Sequence, residues 1–361
     1  MRYVNQEAFG EPGVLAVCDG PDPVPPPDGY VVAVRAAGCN YADVVERRGR
    51  YRKDQVLPAV LGKEAAGVVV ERGPRATRFE IGDPVIVVRF DNGCYAELVA
   101  AGPGQVLRPP RGYSFVEMAA FANCFATAWY AMHEIARVRP GDSVLVQAAA
   151  GGVGTAAVAL ARSHGCAPII GTAGTPEKCS IVRGLGADAC VDYSAADFGE
   201  VVLERTHGTG VDYCLESVGG DVYRRSLEVL APMGRMVVIG FSSISADYAT
   251  EIPRLHPLHL FHRSILVGGL NVDHLDYARR APVWDRLVDH VELHGLRPHV
   301  GGIYPLSEVA AAHDALESRR TVGKVVLAVA SSDGPTAAVH ERPSPTDEVV
   351  LDLRDPVAHP S

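Results

Sequence analysis

The fold is decided by the stretch SVLVQAAAGGVGTAA at residues 143–157, where an apolar, β-branched run leads directly into glycines and then into a helical pattern. Gly152, Gly154 and Ala157 satisfy the pattern G-x-G-x-x-G/A, and Gly151 adds another position without a side chain. The first glycine allows a tight turn, the second lets the backbone approach a pyrophosphate, and the small third residue lets helix and strand pack closely. A glycine pattern alone is more often a simple turn, but here strand, turn and helix occur together. The stretch therefore predicts a dinucleotide-binding turn whose helix N-terminus faces the pyrophosphate.

The length and composition limit the classes of protein to which the chain can belong. Its 361 residues are enough for two domains. The net charge of −9 argues against nucleic-acid binding, because phosphate contacts need a basic surface. No apolar run is long enough to cross a bilayer, and the first residues lack the apolar core of a signal peptide. The 8 cysteines contain no C-x-x-C pair, so we expect a cytoplasmic protein without a disulfide framework.

The rhythm of the apolar runs changes along the chain. Up to about residue 121, short apolar runs alternate with Gly and Pro, which is typical of a β-rich, barrel-like domain. From about residue 122, strands alternate with helical patterns, which predicts repeated βαβ units and a doubly wound parallel sheet. The six predicted strands of this sheet lie at 143–147, 167–172, 189–191, 211–216, 235–241 and 265–270.

The segments after the sixth strand are too few for a third domain. They comprise a helix at about 276–294, GGIYPL, a further helix and the strand GKVVLAV, and we expect them to complete the first domain. The predicted organisation is a β-rich catalytic domain at 1–121 and 271–330, a nucleotide-binding domain at 122–270 and a tail at 331–361. The tail is rich in Pro, Ser, Thr and Asp and is predicted to be mostly disordered, although EVVLDLRD within it could form an extra strand.

Several motifs occur in an order that matches a known family. They are AAGCNYADVVERRGRY (36–51), LGKEAAGVVVERG (61–73), FEIGDPVIV (79–87), NCFATAWYAM (123–132), AAAGGVGTAAVALA (148–161), LGADACVDY (185–193) and VGKVVL (322–327). With them the chain, up to about residue 330, resembles the medium-chain dehydrogenase/reductase superfamily, in the zinc-free quinone oxidoreductase branch that includes ζ-crystallin and the vesicle amine transport protein-1 homologues. The resemblance implies a GroES-like catalytic domain, a Rossmann domain and a homodimer formed through the sixth strand, SILVGGL.

The residues at the zinc position of the resembled superfamily argue against a metal. Zinc-dependent members use a Cys after the A-A-G turn and a His in a G-H-E triplet, where this chain has Asn40 and Lys63. A protonated lysine has no lone pair, and its charge repels Zn²⁺. Cys39 is interpreted as a small buried residue rather than a ligand. We expect a metal-free protein, with weak alternatives in two histidine groups, His256, His259 and His262, and His290 and His294.

The end of the second predicted strand favours NADPH over NADH. An NAD-specific site places an acid there, about 20 residues past the glycines. This strand instead leads into Gly174, and no acid occurs before Glu177, while Lys178 supplies a cation within one helical turn. The resemblance implies that Lys178 and Tyr193 contact the 2′-phosphate. The alternative is that Lys178 is a solvated lysine and Tyr193 covers a sheet edge.

The other candidate cofactor residues lie in the glycine turn and at the carboxyl ends of the parallel strands, where ligands of such sheets bind. The resemblance adds two residues beside the nicotinamide. The full set is Asn40, Thr127, Gly151, Gly152, Val153, Gly154, Thr172, Gly174, Thr175, Lys178, Tyr193, Ser217, Gly240, Phe241, Gly268, Gly269, Leu270 and Lys324.

The candidate catalytic residues are Tyr51, Lys63 and Asn40. The resemblance places Tyr51 at the substrate mouth, where its phenol either donates a hydrogen bond to a quinone or enone oxygen or forms only a wall. Lys63 either replaces the metal as an electrostatic stabiliser of the developing anion or points to solvent.

These features predict a zinc-independent, NADPH-dependent reductase that transfers hydride to a quinone or an α,β-unsaturated carbonyl, as a quinone reductase or enoyl reductase. The alternatives are a tailoring reductase or cyclase of a biosynthetic pathway and an NADPH-binding protein with little turnover. The apolar and histidine content of residues 242–264 favours an aromatic or lipophilic small-molecule substrate.

Overall fold

The first part of the chain forms β-structure that is mostly antiparallel. The computed structural model describes residues 1–51, 55–243, 255–275 and 277–329, with the backbone alone at 277–279. The strands described up to residue 107 are β1 (Arg2–Gln6), β2 (Leu15–Asp19), β3 (Tyr30–Cys39), β4 (Ala59–Val60), β5 (Glu64–Arg72), β6 (Pro84–Val88), β7 (Leu98–Ala101) and β8 (Val106–Leu107). β1 pairs with β2 and β4, and the others belong to a seven-stranded sheet.

Two helices lie against this seven-stranded sheet or at its end. They are α1 (Tyr41–Arg47) and α2 (Phe115–Trp129), the second of which continues into a π-helical turn at Tyr130–Ile135. Gly38 lets α2 lie directly on β3, because a Cβ there would be 2.3 Å from the Ala119 carbonyl oxygen. This close approach brings the end of β3 next to the first turns of α2.

The second sheet is parallel and has six strands. They are β9 (Val144–Val146), β10 (Ile169–Ala173), β11 (Ala189–Asp192), β12 (Val211–Glu216), β13 (Leu230–Val238) and β14 (Leu266–Gly269). Their order across the sheet is β11-β10-β9-β12-β13-β14. The connecting helices are α3 (Gly152–Ser163), α4 (Pro176–Gly184), α5 (Phe198–Arg205), α6 (Gly220–Glu228) and α7 (Pro257–Arg263). The predicted fold class, a β-rich GroES-like domain beside a doubly wound parallel sheet, is confirmed.

After β14 the chain returns to the first sheet. A 3₁₀ turn at Val272–His274 is followed by α8 (Tyr277–His294), β15 (Val300–Pro305), α9 (Val309–Glu317) and β16 (Lys324–Ala328). β16 pairs with β15 on one side and with β3 on the other. Two strands from the end of the described chain therefore complete the first sheet. The exact domain boundaries at residues 122 and 271 stay a prediction.

The largest boundary error concerns β13, which was predicted at 235–241 and begins at Leu230. The sequence of Ala231–Gly234 is typical of a turn, and Met233 has a positive φ of 66°. The strand nevertheless continues through it with a register shift against β12. Among the described residues, no helix is long and apolar enough to cross a membrane. The predicted tail at 331–361, with EVVLDLRD, lies outside the described residues, as does most of the connection at 244–254.

Candidate active site

The glycine turn lies at the carboxyl end of β9. Gly151 is the N-cap of α3, whose first turn contains Gly152, Val153 and Gly154 and no acidic residue. A Cβ at Gly154 would lie 2.4 Å from the Ala148 carbonyl oxygen and 2.7 Å from the Ala149 Cα. The helix can begin this close to the strand only because position 154 has no side chain. The free N–H groups of the first turn of α3 therefore lie at the carboxyl end of β9.

Two neighbouring segments hold this turn in place. The Thr172 hydroxyl, at the end of β10, accepts from the Ala148 N–H at 3.2 Å and donates to the Gln147 side chain at 2.7 Å. From the other sheet, the Gly323 N–H donates to the Ala150 carbonyl at 2.7 Å, just before β16 begins. The backbone of the nucleotide turn is therefore hydrogen-bonded to the β-rich part of the molecule.

The residues predicted to bind the 2′-phosphate lie together at the end of β10. Thr175 caps α4 by accepting from the Lys178 N–H, and a Cβ on Gly174 would lie 2.7 Å from the Tyr193 hydroxyl. The Lys178 ammonium donates to the backbone carbonyl of Arg319, just after α9. Burial and the Arg319 charge lower the pKa of Lys178.

Arg319 is a cation that the sequence reasoning missed. Its guanidinium donates to the Ser242 carbonyl at 2.9 Å, in the loop after β13. It therefore spans the space between α4 and that loop. The basic pair that it forms with Arg320, just before the VGK motif, was the available signal.

The other strand ends meet at the same edge of the parallel sheet. The Ser242 N–H donates to the Ser217 carbonyl at 3.0 Å, which joins the loop of Gly240 and Phe241 to that of β12. The Leu270 N–H donates to the Val238 carbonyl at 2.9 Å and so places the end of β14, with Gly268 and Gly269, beside them. These loops and the glycine turn lie at the carboxyl edge of the parallel sheet, where doubly wound sheets bind their ligands.

A buried hydrogen-bond network joins β3, β5 and β16 of the first sheet to α2. The Lys324 ammonium donates to the Glu64 carboxylate and, at 2.5 Å, to Asn40 Oδ1. Asn40 Nδ2 donates to Glu64 at 3.0 Å, and Asn123 supplies its backbone N–H to Glu64 at 2.7 Å and its amide to Asn40 at 2.7 Å. The Thr127 hydroxyl lies 3.5 Å from Asn123 Oδ1.

The charge balance of this network keeps Lys324 protonated. Burial alone would lower the pKa of its ammonium, but the neighbouring Cys124 and Glu64 raise it above its ordinary value. Glu64 was missed in the sequence, although it is a charged residue inside the apolar run LGKEAAGVVV.

Lys63 belongs to a second buried network. Its ammonium is 3.1 Å from Asp273 Oδ2, 3.4 Å from Glu46 Oε2 and 3.4 Å from the Phe90 carbonyl oxygen. It also lies 4.6 Å from the centre of the Tyr51 ring. With only 1% of Lys63 exposed, the alternative that it points to solvent is wrong. The carboxylates of α1 and of the turn after β14 draw it inward.

Tyr51 and Lys63 share one partner. The Tyr51 hydroxyl donates to Asp273 Oδ2 at 2.8 Å, the oxygen that also accepts from Lys63. Burial and the Asp273 charge raise the pKa of the Tyr51 phenol well above its usual value, so the phenol stays protonated. Asp273, 222 positions from Tyr51, carried no local signal in the sequence.

Asp43 lies behind these networks rather than in the cleft. It is fully buried, and its carboxylate accepts from the Asn40 N–H and the Tyr95 hydroxyl, both at 2.8 Å. Burial raises the pKa of Asp43 to about 6, although Lys63 counteracts the shift. Burial also raises the pKa of the Cys39 thiol to about 12, which fits a small buried residue better than a thiolate ligand.

The residues present do not fit a zinc ion. The ammonium of Lys63 occupies the position of the superfamily's histidine ligand, and both Asn40 and Lys63 are already engaged with protein groups. Within the part of the chain that the structure describes, no group of three or more His, Cys, Asp or Glu side chains is arranged to hold a metal. In the histidine group considered as an alternative metal site, the His256 imidazole accepts from the Leu258 N–H and caps α7.

The other histidine alternative belongs to a cluster of four imidazoles from three helical segments. The rings of His133 and His164 are 4.6 Å apart, and those of His290 and His294 are 4.4 Å apart. Burial, followed by the neighbouring imidazoles, lowers the pKa of His133 to about 3 and that of His290 to about 4.

This cluster predicts a loss of stability in mild acid. A histidine with a lowered folded-state pKa favours folding fully above its unfolded pKa of about 6.5, and this contribution falls as the pH drops towards the folded value. We expect the free energy of unfolding in urea to decrease between pH 7.5 and 5.5. The decrease should be smaller in His133→Phe. Equal decreases in the two proteins would contradict the assignment to this cluster.

Known proteins are similar to the chain along most of its described length. Residues 26–135 match the family model of the alcohol dehydrogenase GroES-like domain, and residues 185–327 match that of the zinc-binding dehydrogenases. The 2-haloacrylate reductase of a Burkholderia species is 34% identical, covering 81% of this chain and 88% of that protein. The structure of the Escherichia coli quinone oxidoreductase complexed with NADPH is also similar, with a TM-score of 0.83. It is 28% identical, covering 91% of this chain and 100% of that one.

Some relatives are much longer. A mycocerosic acid synthase-like polyketide synthase of Mycobacterium tuberculosis is 35% identical over 85% of this chain, which spans only 14% of that protein. The fold, the glycine turn and the similarity over nearly the whole length of two oxidoreductases all indicate the same family. The chain belongs to the medium-chain dehydrogenase/reductase superfamily, in its quinone oxidoreductase branch.

Proposed function

We propose that the protein is a zinc-independent reductase that uses NADPH to reduce a quinone or an α,β-unsaturated carbonyl. The observation that carries the proposal is the Lys63–Asp273–Tyr51 network, in which the ammonium of Lys63, at a zinc-ligand position of zinc-dependent relatives, and a protonated phenol share one carboxylate. When bound, NADPH supplies a hydride. The glycine turn would hold its pyrophosphate, and Lys178, Tyr193 and Arg319 its 2′-phosphate.

The network supplies a hydrogen-bond donor to the acceptor oxygen. Without substrate the Tyr51 hydroxyl donates its single proton to Asp273. When the substrate binds, this hydroxyl turns to donate to the acceptor oxygen, and Lys63 remains to offset the charge of Asp273. Lys63 is itself engaged, through hydrogen bonds to Asp273 and the Phe90 carbonyl oxygen and an ion pair with Glu46. We therefore assign Tyr51 as the residue that touches the substrate, and Lys63 and Asp273 as positioning residues.

The direct test is NADPH consumption by the purified protein, with a simple 1,4-quinone and a 2-alkenal offered in parallel. We expect turnover with at least one of them, at a rate that a strong metal chelator leaves unchanged. Tight NADPH binding without turnover on either would replace this proposal with a non-catalytic role.

The polyketide synthase relative favours a second candidate, a reductase of unsaturated acyl intermediates in a biosynthetic pathway. This second candidate function would use the same cofactor and the same Lys63–Asp273–Tyr51 network. An unsaturated acyl thioester that turns over much faster than either simple acceptor would support it.

Replacing Tyr51 with Phe is expected to lower kcat by about 10²–10⁴-fold, the usual contribution of a positioned proton donor. The KM for NADPH should stay within about twofold, because the ring is retained and the hydroxyl faces Asp273. Tyr41→Phe, on the exposed side of α1, is the matched control. If kcat of Tyr51→Phe equals that of the control, Tyr51 is only a wall of the pocket.

Lys178→Glu is expected to raise the KM for NADPH by about tenfold or more and that for NADH much less. The substitution replaces an attractive charge beside the 2′-phosphate with a repulsive one, and NADH lacks this phosphate. Arg183→Glu, an exposed charge reversal on the same helix, is the control. Equal changes for both cofactors would remove Lys178 from the 2′-phosphate site.

We also propose a cytoplasmic homodimer that binds neither nucleic acid nor membrane. β14 is an edge strand of the parallel sheet, and Leu266 on it is 53% exposed. Phe261 on the preceding helix is 76% exposed. Pairing of two copies along this edge would cover both side chains.

A further inference from the structure

A short segment from the β-rich part of the molecule is bonded across the carboxyl edge of the parallel sheet. This strap comprises residues 318–322, between α9 and β16. The Lys178 ammonium, on the helix after β10, donates to the Arg319 carbonyl oxygen. The Arg319 guanidinium donates to the Ser242 carbonyl oxygen at 2.9 Å, in the loop after β13. Because β9 and β12 lie between β10 and β13, these two closing bonds stand on either side of the glycine turn.

The two ends of the strap are held more firmly than its middle. Just before it, Glu317 pairs at 2.6 Å with Arg47, a residue without exposed surface. Just after it, the Gly323 N–H donates to the Ala150 carbonyl oxygen at 2.7 Å. The two closing bonds at Arg319 are exposed, and exposed hydrogen bonds contribute little net free energy because water replaces them. The middle of the strap can therefore lift while its ends stay in place.

The backbone of Arg319 indicates that its side chain is required at this position. Its φ is 55°, in the left-handed region that favours Gly and Asn. It directly follows Ser318, the C-cap of α9, where helices commonly place glycine. An arginine here costs conformational energy, and the bond to Ser242 is what a glycine could not supply.

The two closing bonds use cations that hold only neutral acceptors. Lys178 and Arg319 both donate to backbone carbonyls rather than to carboxylates. A phosphate accepts charge-assisted hydrogen bonds, which are stronger than those to a carbonyl. The 2′-phosphate of NADPH can therefore displace both carbonyls, whereas NADH brings no group that replaces the bonds it breaks.

We propose that the strap closes the adenosine end of the cofactor site in the empty protein, and that the 2′-phosphate of NADPH opens it by taking over Lys178 and Arg319. Arg319 is thereby a residue that determines cofactor specificity. Its bond to Ser242 penalises NADH, which has to break it without compensation. The inference rests on the proposed use of NADPH, but it does not depend on which acceptor is reduced.

The test is the affinity for NADH, measured by fluorescence titration without any acceptor. Arg319→Asn keeps a residue that tolerates the left-handed conformation and removes the guanidinium that bonds to Ser242. The Kd for NADH should then fall about fivefold, the equivalent of about 1 kcal/mol for one hydrogen bond. A residue that merely attracts the cofactor predicts the opposite, since loss of its charge weakens the binding of an anion.

Arg320→Asn is the matched control. Its guanidinium pairs with Asp314 of α9 at 2.5 Å, so the substitution removes the same charge from the strap without touching the closing bonds. We expect its Kd for NADH to stay within about twofold of the original value. A Kd for NADH in Arg319→Asn equal to or above that in Arg320→Asn would overturn the proposal.

Binding and turnover separate this inference from the reductase proposal. Tighter NADH binding by Arg319→Asn, in a protein that reduces neither a quinone nor an alkenal, would support the strap and remove the reductase. Turnover combined with unchanged or weaker NADH binding in Arg319→Asn would remove the strap and leave the reductase.

Discussion

Lys324→Met is expected to lower the free energy of unfolding by about 3–5 kcal/mol, the range measured when one partner of a buried ion pair is removed. Only 3% of Lys324 and none of Glu64 is exposed, and the Lys324 ammonium is the cation bonded to that carboxylate. Methionine keeps most of the length of the side chain but leaves Glu64 buried with only the neutral donors of Asn40 and Asn123. Urea unfolding at pH 7.5 measures the loss.

The matched control is the double variant Lys324→Met with Glu64→Gln. The uncharged pair no longer buries an isolated charge, so most of the lost stability should return. A single variant that loses less than about 1 kcal/mol would contradict the ion pair as a determinant of stability. A double variant as unstable as the single one would show that the shape of the side chains, rather than their charge, is what the site requires.

Gly154→Ala is expected to weaken NADPH binding by about tenfold or more. The added Cβ would collide with backbone atoms of Ala148 and Ala149, which cannot move aside by changing a rotamer. The start of α3 must then shift away from the end of β9, at a cost of about 1–3 kcal/mol, typical of an overpacked site. The N–H groups that face the pyrophosphate move with it.

Gly184→Ala, near the end of α4, is the control for this prediction. No atom lies within 4 Å of the Cβ it would introduce, and its φ is not positive. We expect unchanged NADPH affinity and a stability equal to or up to about 1 kcal/mol above that of the original protein. Fluorescence titration with NADPH measures both variants. Equal affinities in the two would mean that the turn tolerates a side chain at position 154.

The parts of the site that could be predicted are those encoded locally. The glycine turn and Lys178 each lie within a few residues of the strand or helix that positions them. The glycine spacing predicted the turn, and the missing acid after the second strand, with the family resemblance, pointed to Lys178. The missed residues Glu64 and Asp273 contact predicted residues that are distant in the sequence. Glu64 is 260 positions from Lys324, and Asp273 is 210 positions from Lys63.

Lys63 shows why such partners escape a reading of the sequence. The chain around it indicated that zinc does not fit, but not which carboxylates would surround the ammonium. Whether a lysine turns inward depends on charges that the fold brings to it, since burial without them would be costly. The start of β13 was missed for a related reason, because Leu230 pairs with Val211 of β12 ahead of the stretch Ala231–Gly234, which has no partner on that strand.

The hydrogen bond from Gly323 to Ala150 bears on how this protein can be divided or recombined. The backbone of the glycine turn is braced by a residue near the end of the described chain, just before β16 of the other sheet. Both groups are backbone atoms, so a chimera that exchanges only residues 122–270 between two related proteins keeps this bond only where both parents place the segment around 323 at the same position beside the turn. The unit for swapping cofactor preference or for grafting into a larger synthase is thus the whole stretch from residue 1 to 329.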